Sequence, residues 1–197
     1  MFGSLRNYNL RPGTVEQIVP RIQAGFVPII RQATGFVSYE LAVAPNDRLM
    51  TCSIFESKDG ADESARLAAG WVTENMAAFV RNPPEILAGI VRIRSVTKTP
   101  KYVALRRYWT EPRNVEEIIK RTQAGFLPIV SSMRGFATYY AVDVGDGNLI
   151  TLSGFDDKAS AEESVRAAAT WVKPNLGPLL PNSPIVTAGD VRFMVLA

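Results

Sequence analysis

Two short stretches carry an arginine and a tyrosine two positions apart: Arg6 with Tyr8, and Arg106 with Tyr108. In a β-rich segment that spacing puts both side chains on one face. A guanidinium can hold a carboxylate, phenolate or enolate through paired hydrogen bonds, and a phenol can pass a proton. Tyr8, Tyr108, Arg6 and Arg106 are therefore the candidate catalytic residues. Candidate ligand-binding residues follow from the same alternation. Arg92 and Arg192 should point away from the helices, into the space between sheets. Thr51 and Ser53, with Thr151 and Ser153, share one parity. Trp71 and Trp171, each followed four positions later by Asn75 and Asn175, sit on helical stretches. Together these groups would line an enclosed, mostly apolar pocket in each half, the usual form of a small-molecule site.

Each assignment has a structural alternative. Arg6, Arg92 and Glu40 could be ion pairs fastening two modules, and Tyr8 could bond a backbone carbonyl. Trp71 and Trp171 fit a helix core stripe, and Asn75 and Asn175 fit helix-end caps. Cys52 alternates away from Thr51 and Ser53 and reads as packing.

The chain has no histidine. That excludes the Ser-His-Asp and Cys-His arrangements and His-ligated haem, zinc or iron. No metal site and no cofactor is expected. One cysteine, Cys52, allows no internal disulfide, which suits a reducing cytoplasm. Met1-Phe2-Gly3 leads into patterned sequence without a signal-peptide pattern, and no apolar run reaches the roughly 18 residues of a membrane span. The net charge of +3 is small and dispersed, which argues against a nucleic-acid surface.

The elements that must position these residues come from a repeat. Laid over residues 101–197 without a gap, residues 1–97 match at about 37 of 97 positions. The most conspicuous block, Arg21 to Ile29, returns as Arg121 to Ile129. The expected organisation is a first module over 1–97, a linker over 98–101 and a second module over 102–197. Each is a typical small-domain size.

Within a module, residues 2–10 read as a strand. A helix is expected over 13–33, with apolar residues at three- and four-residue spacing. Pro28 should kink or end it, Pro20 should kink it again, and Gly25 should mark close approach of another backbone. Gly35 marks the exit. Strands over 36–43 and 49–56 flank a turn that reads Gly145-Asp146-Gly147-Asn148 in the copy, a hairpin signal. A second helix is expected over 60–80, with Ser160 and Glu163 as a capping box. A last strand covers 88–96. Strand, helix, strand, strand, helix, strand is the ferredoxin-like unit. It leaves one apolar sheet face bare, so the expected fold is α+β: two tandem βαββαβ repeats whose antiparallel sheets close over each other within one chain. Further association of two chains stays open.

The βαββαβ order, the Leu-Arg-x-Tyr start at Leu5 and Leu105, the Gly-Phe pairs at Gly35 and Gly135, and the Ser-x-Phe ends at Ser53 and Ser153 resemble the dimeric α+β barrel superfamily. Its antibiotic-biosynthesis-monooxygenase-like branch is the nearer match and the NIPSNAP-like branch the second. The resemblance implies a barrel that binds a small apolar or aromatic molecule. Its catalytic form would be a cofactor-independent monooxygenase of an aromatic or polyketide-like substrate, with deprotonation near Tyr8 or Tyr108 and anion stabilisation by Arg6 or Arg92. Haem-degrading relatives use a histidine ligand, which is absent here. The alternative is a non-enzymatic binding or assembly module. A cavity of about 300 Å³ or more would favour the first reading. Arginines paired to carboxylates in a filled interior would favour the second.

Overall fold

A computed structural model describes every residue, Met1–Ala197. The first repeat contains β1 (Phe2–Asn9), α1 (Val15–Arg21), α2 (Val27–Ile30), β2 (Phe36–Ala44), β3 (Arg48–Phe55), α3 (Lys58–Asn75) and β4 (Glu85–Val96). The second contains β5 (Tyr102–Trp109), α4 (Val115–Arg121), α5 (Leu127–Ser132), β6 (Phe136–Gly145), β7 (Asn148–Phe155), α6 (Lys158–Leu176) and β8 (Ile185–Leu196). The strands are antiparallel and hydrogen-bonded in the closed order β1-β3-β2-β8-β5-β7-β6-β4. The fold is thus α+β, a closed barrel built from tandem ferredoxin-like repeats. No helix is long and apolar enough to cross a membrane.

The chain forms two compact units: Met1–Ala88 with Arg192–Ala197, and Gly89–Val191. Each therefore takes part of a last strand from the other repeat. In the first unit Phe193 and Val195 of β8 pack on the core that holds Ile18, Phe26, Tyr39 and Leu41. In the second, Ile93 of β4 is buried in the core with Ile118, Phe126 and Tyr139.

The hairpin turns have the backbone their residues favour. Asn46 and Asp47 have φ of 64° and 55°, and Asp146 and Gly147 have 51° and 74°. Across β1 and β3, Arg6 faces Thr51 and Tyr8 faces Leu49. Tyr39 faces Ser53, and Leu41 faces Thr51, across β2 and β3. The second repeat has the same pairs at Arg106, Tyr108 and Tyr139.

The long helix expected over 13–33 is divided. Between α1 and α2 the chain makes a π turn over Ile22–Phe26, in which Val27 N–H donates to Ile22 O; Thr122–Phe126 repeats it. Pro28 has no N–H, and its ring would clash with the carbonyl four residues back. A wider turn just upstream relieves both problems without ending the helix. Pro20 adds no break: α1 with Pro20 and α4 with Lys120 span matching residues. Gly25 and Gly125 admit a side chain, not a second backbone. A Cβ on Gly125 would stand 2.7 Å from Trp171 Cζ2, and one on Gly25 would stand 3.1 Å from Trp71 Nε1. The second helix starts and ends earlier than expected. Ser57 and Asp157 cap it by accepting from Gly60 N–H and Ser160 N–H, so Ser160 is not the cap.

Candidate functional site

Each unit holds a small polar cluster between its sheet and its helices. Tyr8, Tyr39 and Leu49 pack with Ile18, Ile22 and Phe26 of the helical layer. This face also carries Arg6, Thr51 and Ser53, all buried. The space it encloses is a cavity of about 10 Å³ lined by Arg6, Tyr8, Tyr39, Thr51, Phe26 and Trp71 among others. The second unit has the matching cavity, of about 30 Å³, lined by Tyr108, Tyr139, Thr151, Phe126, Trp171 and Thr122 among others. Aromatic rings frame both. Phe26 meets Tyr39 and Trp71 at 5.6 Å, and Phe126 meets Tyr139 at 6.0 Å and Trp171 at 5.6 Å. Both cavities lie between helices and sheet, not on the other sheet face where strand alternation placed the polar groups. Each has room for at most a water or two, well short of 300 Å³.

Arginines dominate the electrostatics. Arg6 is 3% exposed and Arg106 1%. Arg106 donates to Ser153 Oγ at 3.0 Å and to Ser164 Oγ at 2.8 Å, and its Nε has no partner. Arg6 has no hydrogen-bond partner and borders its cavity. Neither guanidinium meets a carboxylate. Burial pushes Arg106 below its ordinary value, and the neighbouring Tyr108 and Tyr139 oppose that. A buried cation normally has an acidic partner. Here the place is taken by neutral hydroxyls or left open.

The tyrosines are shifted the wrong way for bases. Burial raises Tyr8 and Tyr108 above the usual phenol value, with Arg6 and Arg106 offsetting it in part. Burial likewise raises Tyr39 and Tyr139, against partial offsets from arginine and threonine. At neutral pH all four stay protonated and act as hydrogen-bond donors, so deprotonation near Tyr8 or Tyr108 has no base there. No cluster of three or more His, Cys, Asp or Glu side chains is present to hold a metal.

The other expected residues lie elsewhere. Arg92 falls at a β-bulge, where the register shifts between Val91 and Ile93. The bulge turns its side chain to Glu116 Oε2 at 2.7 Å and to Asp143 Oδ2 at 3.6 Å. Arg192 pairs with Glu16 in the same way. These arginines sit in ion pairs with exposed glutamates, outside the cavities. Glu40 is buried on the opposite sheet face, beside Cys52, and forms no ion pair. Asn75 and Asn175 donate to the carbonyls of Trp71 and Trp171 at 3.0 and 2.7 Å, closing helix ends. Asn175 also borders an open cleft of about 410 Å³ with Arg121, Ala124, Gly125, Pro174 and Trp171. Trp171 therefore stands between this cleft and the inner cavity. Arg92→Ala is expected to cost no more than about 1 kcal/mol of stability and to leave binding of an acidic aromatic probe unchanged. Calorimetric titration of the variant checks both.

Tyr39 and Tyr139 belong to the cluster, and Ser164 completes it in the second unit; the readings above assigned none of them. The signal was present, since Tyr39 and Ser64 recur at Tyr139 and Ser164. Ser64 also lies on the buried stripe of α3 with Ala61 and Ala68.

Comparison with solved structures places this geometry. A monooxygenase candidate from Lactobacillus acidophilus superposes with a TM-score of 0.77 at 7% identity, covering 99% of this chain and 95% of that one. One from Fusobacterium nucleatum gives 0.76 at 8%, over 99% and 94%. An anthrone oxidase-like protein gives 0.66 at 12%, over 100% and 93%. The chain has the dimeric α+β barrel fold. No family model and no curated protein matches its sequence. In this barrel both halves come from one chain, and each unit keeps its own cavity between helices and sheet.

Proposed function

We propose that each unit binds a small, planar aromatic molecule carrying one acidic oxygen, and that the protein oxygenates such a substrate without a cofactor. The observation that carries this reading is the buried cluster of Arg6, Tyr8, Tyr39 and Thr51, which contains a cation, neutral donors and no carboxylate. The likeness to barrels described as monooxygenases and as anthrone oxidase-like supports it through the fold alone.

The chemistry suits a substrate that ionises by itself, because the cluster lacks a base. A carbon acid next to a carbonyl loses its proton to water, and the nearby guanidinium stabilises the enolate. A neutral tyrosine can donate a further hydrogen bond to the same oxygen. The carbanion and dioxygen then form a carbon–oxygen bond. Protonation gives a hydroperoxide, and loss of water leaves a new carbonyl. Overall, CH2 plus O2 becomes C=O plus H2O, and no external reductant is consumed.

The small cavity volumes favour the second reading, a non-enzymatic binding module. The test uses 1,8-dihydroxyanthrone in air, with oxygen uptake and quinone absorbance followed together. The expected result is uptake of one dioxygen per anthrone, faster than in buffer. Arg6→Gln combined with Arg106→Gln should lower the rate about a hundredfold while the circular dichroism spectrum is retained. Uptake no faster than in buffer would leave the binding module as the better reading.

A further inference from the structure

The two units carry the same arginine and the same pair of serines but hold the arginine in two positions. In the second unit Arg106 is seated: Nη1 donates to Ser153 Oγ and Nη2 to Ser164 Oγ. Ser164 Oγ donates onward to Ala161 O at 2.7 Å. Seated in this way, Arg106 does not border the cavity. In the first unit Arg6 borders the cavity and makes no hydrogen bond. The seat it could occupy is empty, because Ser53 Oγ and Ser64 Oγ are both buried without a partner. Two serine hydroxyls that are hydrogen-bonded in one unit are thus unbonded in the other.

We propose that Arg6 and Arg106 are two-position latches for an organic anion. Each moves between a seat on its serine hydroxyls, where it leaves the cavity, and the cavity wall, where it meets a planar carboxylate or phenolate. The proposal rests on the reading of these cavities as ligand sites and adds the charge of the ligand and a conformational step. The physical argument is one of compensation. Turning out gives up two charge-assisted hydrogen bonds and leaves two buried hydroxyls and a buried cation without partners. A negative group in the cavity offsets that loss. A neutral molecule of the same shape offers the guanidinium little. The seat therefore competes with the ligand, and apparent affinity is reduced by the fraction of time the arginine spends seated. The first unit, with its arginine already turned, should bind an anion more tightly than the second.

The test titrates the full-length chain with 2-naphthoate and with its neutral isostere 2-naphthamide, by calorimetry and tryptophan fluorescence. The parent should show two classes of naphthoate site. Ser153→Ala combined with Ser164→Ala deletes the seat in the second unit, keeps every charge and removes no cavity-lining residue. It should tighten the weaker class about tenfold and leave naphthamide unaffected. A seat with only a structural role would give the opposite, weaker binding or none. Unchanged or weakened naphthoate binding in a serine variant that melts like the parent overturns the latch. So does naphthamide binding as tightly as naphthoate, although the cavity then remains a ligand site. Naphthoate binding tightened by the serine changes, with no oxygen uptake on hydroxyanthrone, removes the oxygenase reading and leaves the latch standing. Failure of both probes to bind overturns both.

Discussion

Changing Glu40 to glutamine is expected to stabilise the protein by about 3–5 kcal/mol at pH 8 and to change little at pH 5. Glu40 lies in β2 with one carboxyl oxygen buried and unpartnered. Burial pushes its carboxyl up from 4.5 to about 8. Between those values the folded protein holds a proton that the unfolded chain has released. Stability therefore falls as pH rises through that window, and it levels off above about pH 8, where the folded form ionises too. Glutamine has no proton to lose, so the fall disappears. Cys52, directly across β3, does not confuse the measurement. Burial, and then Glu40, raise its thiol beyond this range. The second repeat carries Tyr140 at the matching position, so the site accepts a neutral side chain. Urea unfolding of parent and variant at pH 5, 6.5, 8 and 9 checks the expectation. Two curves that stay parallel across that range would show that Glu40 ionises normally.

Much of the architecture is legible because duplication writes it twice. A gapless return of the sequence requires matching loops, and Asp146-Gly147 can serve only a tight hairpin turn. What is not legible is how the last strands are shared. Nothing local in Arg192–Ala197 says that these residues pack on the first unit's core, because any apolar alternation would pack equally well on either. The π turn is half legible. Pro28 announces a fault in the helix, but whether the chain ends, kinks or widens depends on the room beside it. At Gly25 the neighbour that fixes that room is the Trp71 ring.

The candidate site divides along the same line. Parity tells which residues share a strand face, so Arg6, Tyr8, Thr51 and Ser53 are grouped from sequence alone. Parity does not tell which face the helices cover. The side-chain neighbours of Arg6 are therefore Tyr39 and Trp71 of its own unit, not groups on the other face of the sheet. Arg92 departs from parity altogether, because a bulge adds one residue and turns the side chain round. Bulges leave no reliable mark in a single sequence. The two positions of Arg6 and Arg106 are beyond sequence entirely, since the residues that make both are identical in the two repeats.

Changing Trp171 to alanine is expected to raise the association rate of 2-naphthoate at the second unit about tenfold or more while lowering the protein's melting temperature. The indole is the wall shared by the outer cleft of about 410 Å³ and the inner cavity of about 30 Å³. It is wedged against Phe126 at 5.6 Å and against the bare backbone of Gly125. A ring of that size can let a ligand pass only by swinging out, and the contacts with Phe126 and Gly125 must break each time. Removing it joins the two spaces and removes that step. The same contacts set the cost. A fully buried tryptophan loses about 3–5 kcal/mol on truncation to alanine, and this half-buried one should lose about 2–3 kcal/mol. The ring also covers one side of any bound molecule, so dissociation should speed up as well and equilibrium affinity should fall. Stopped-flow fluorescence, reading both rates from the concentration dependence, separates the two effects. An association rate equal to that of the parent, in a variant that folds, would mean that ligand reaches the Arg106 cluster by another route and that Trp171 serves only to pack the helices.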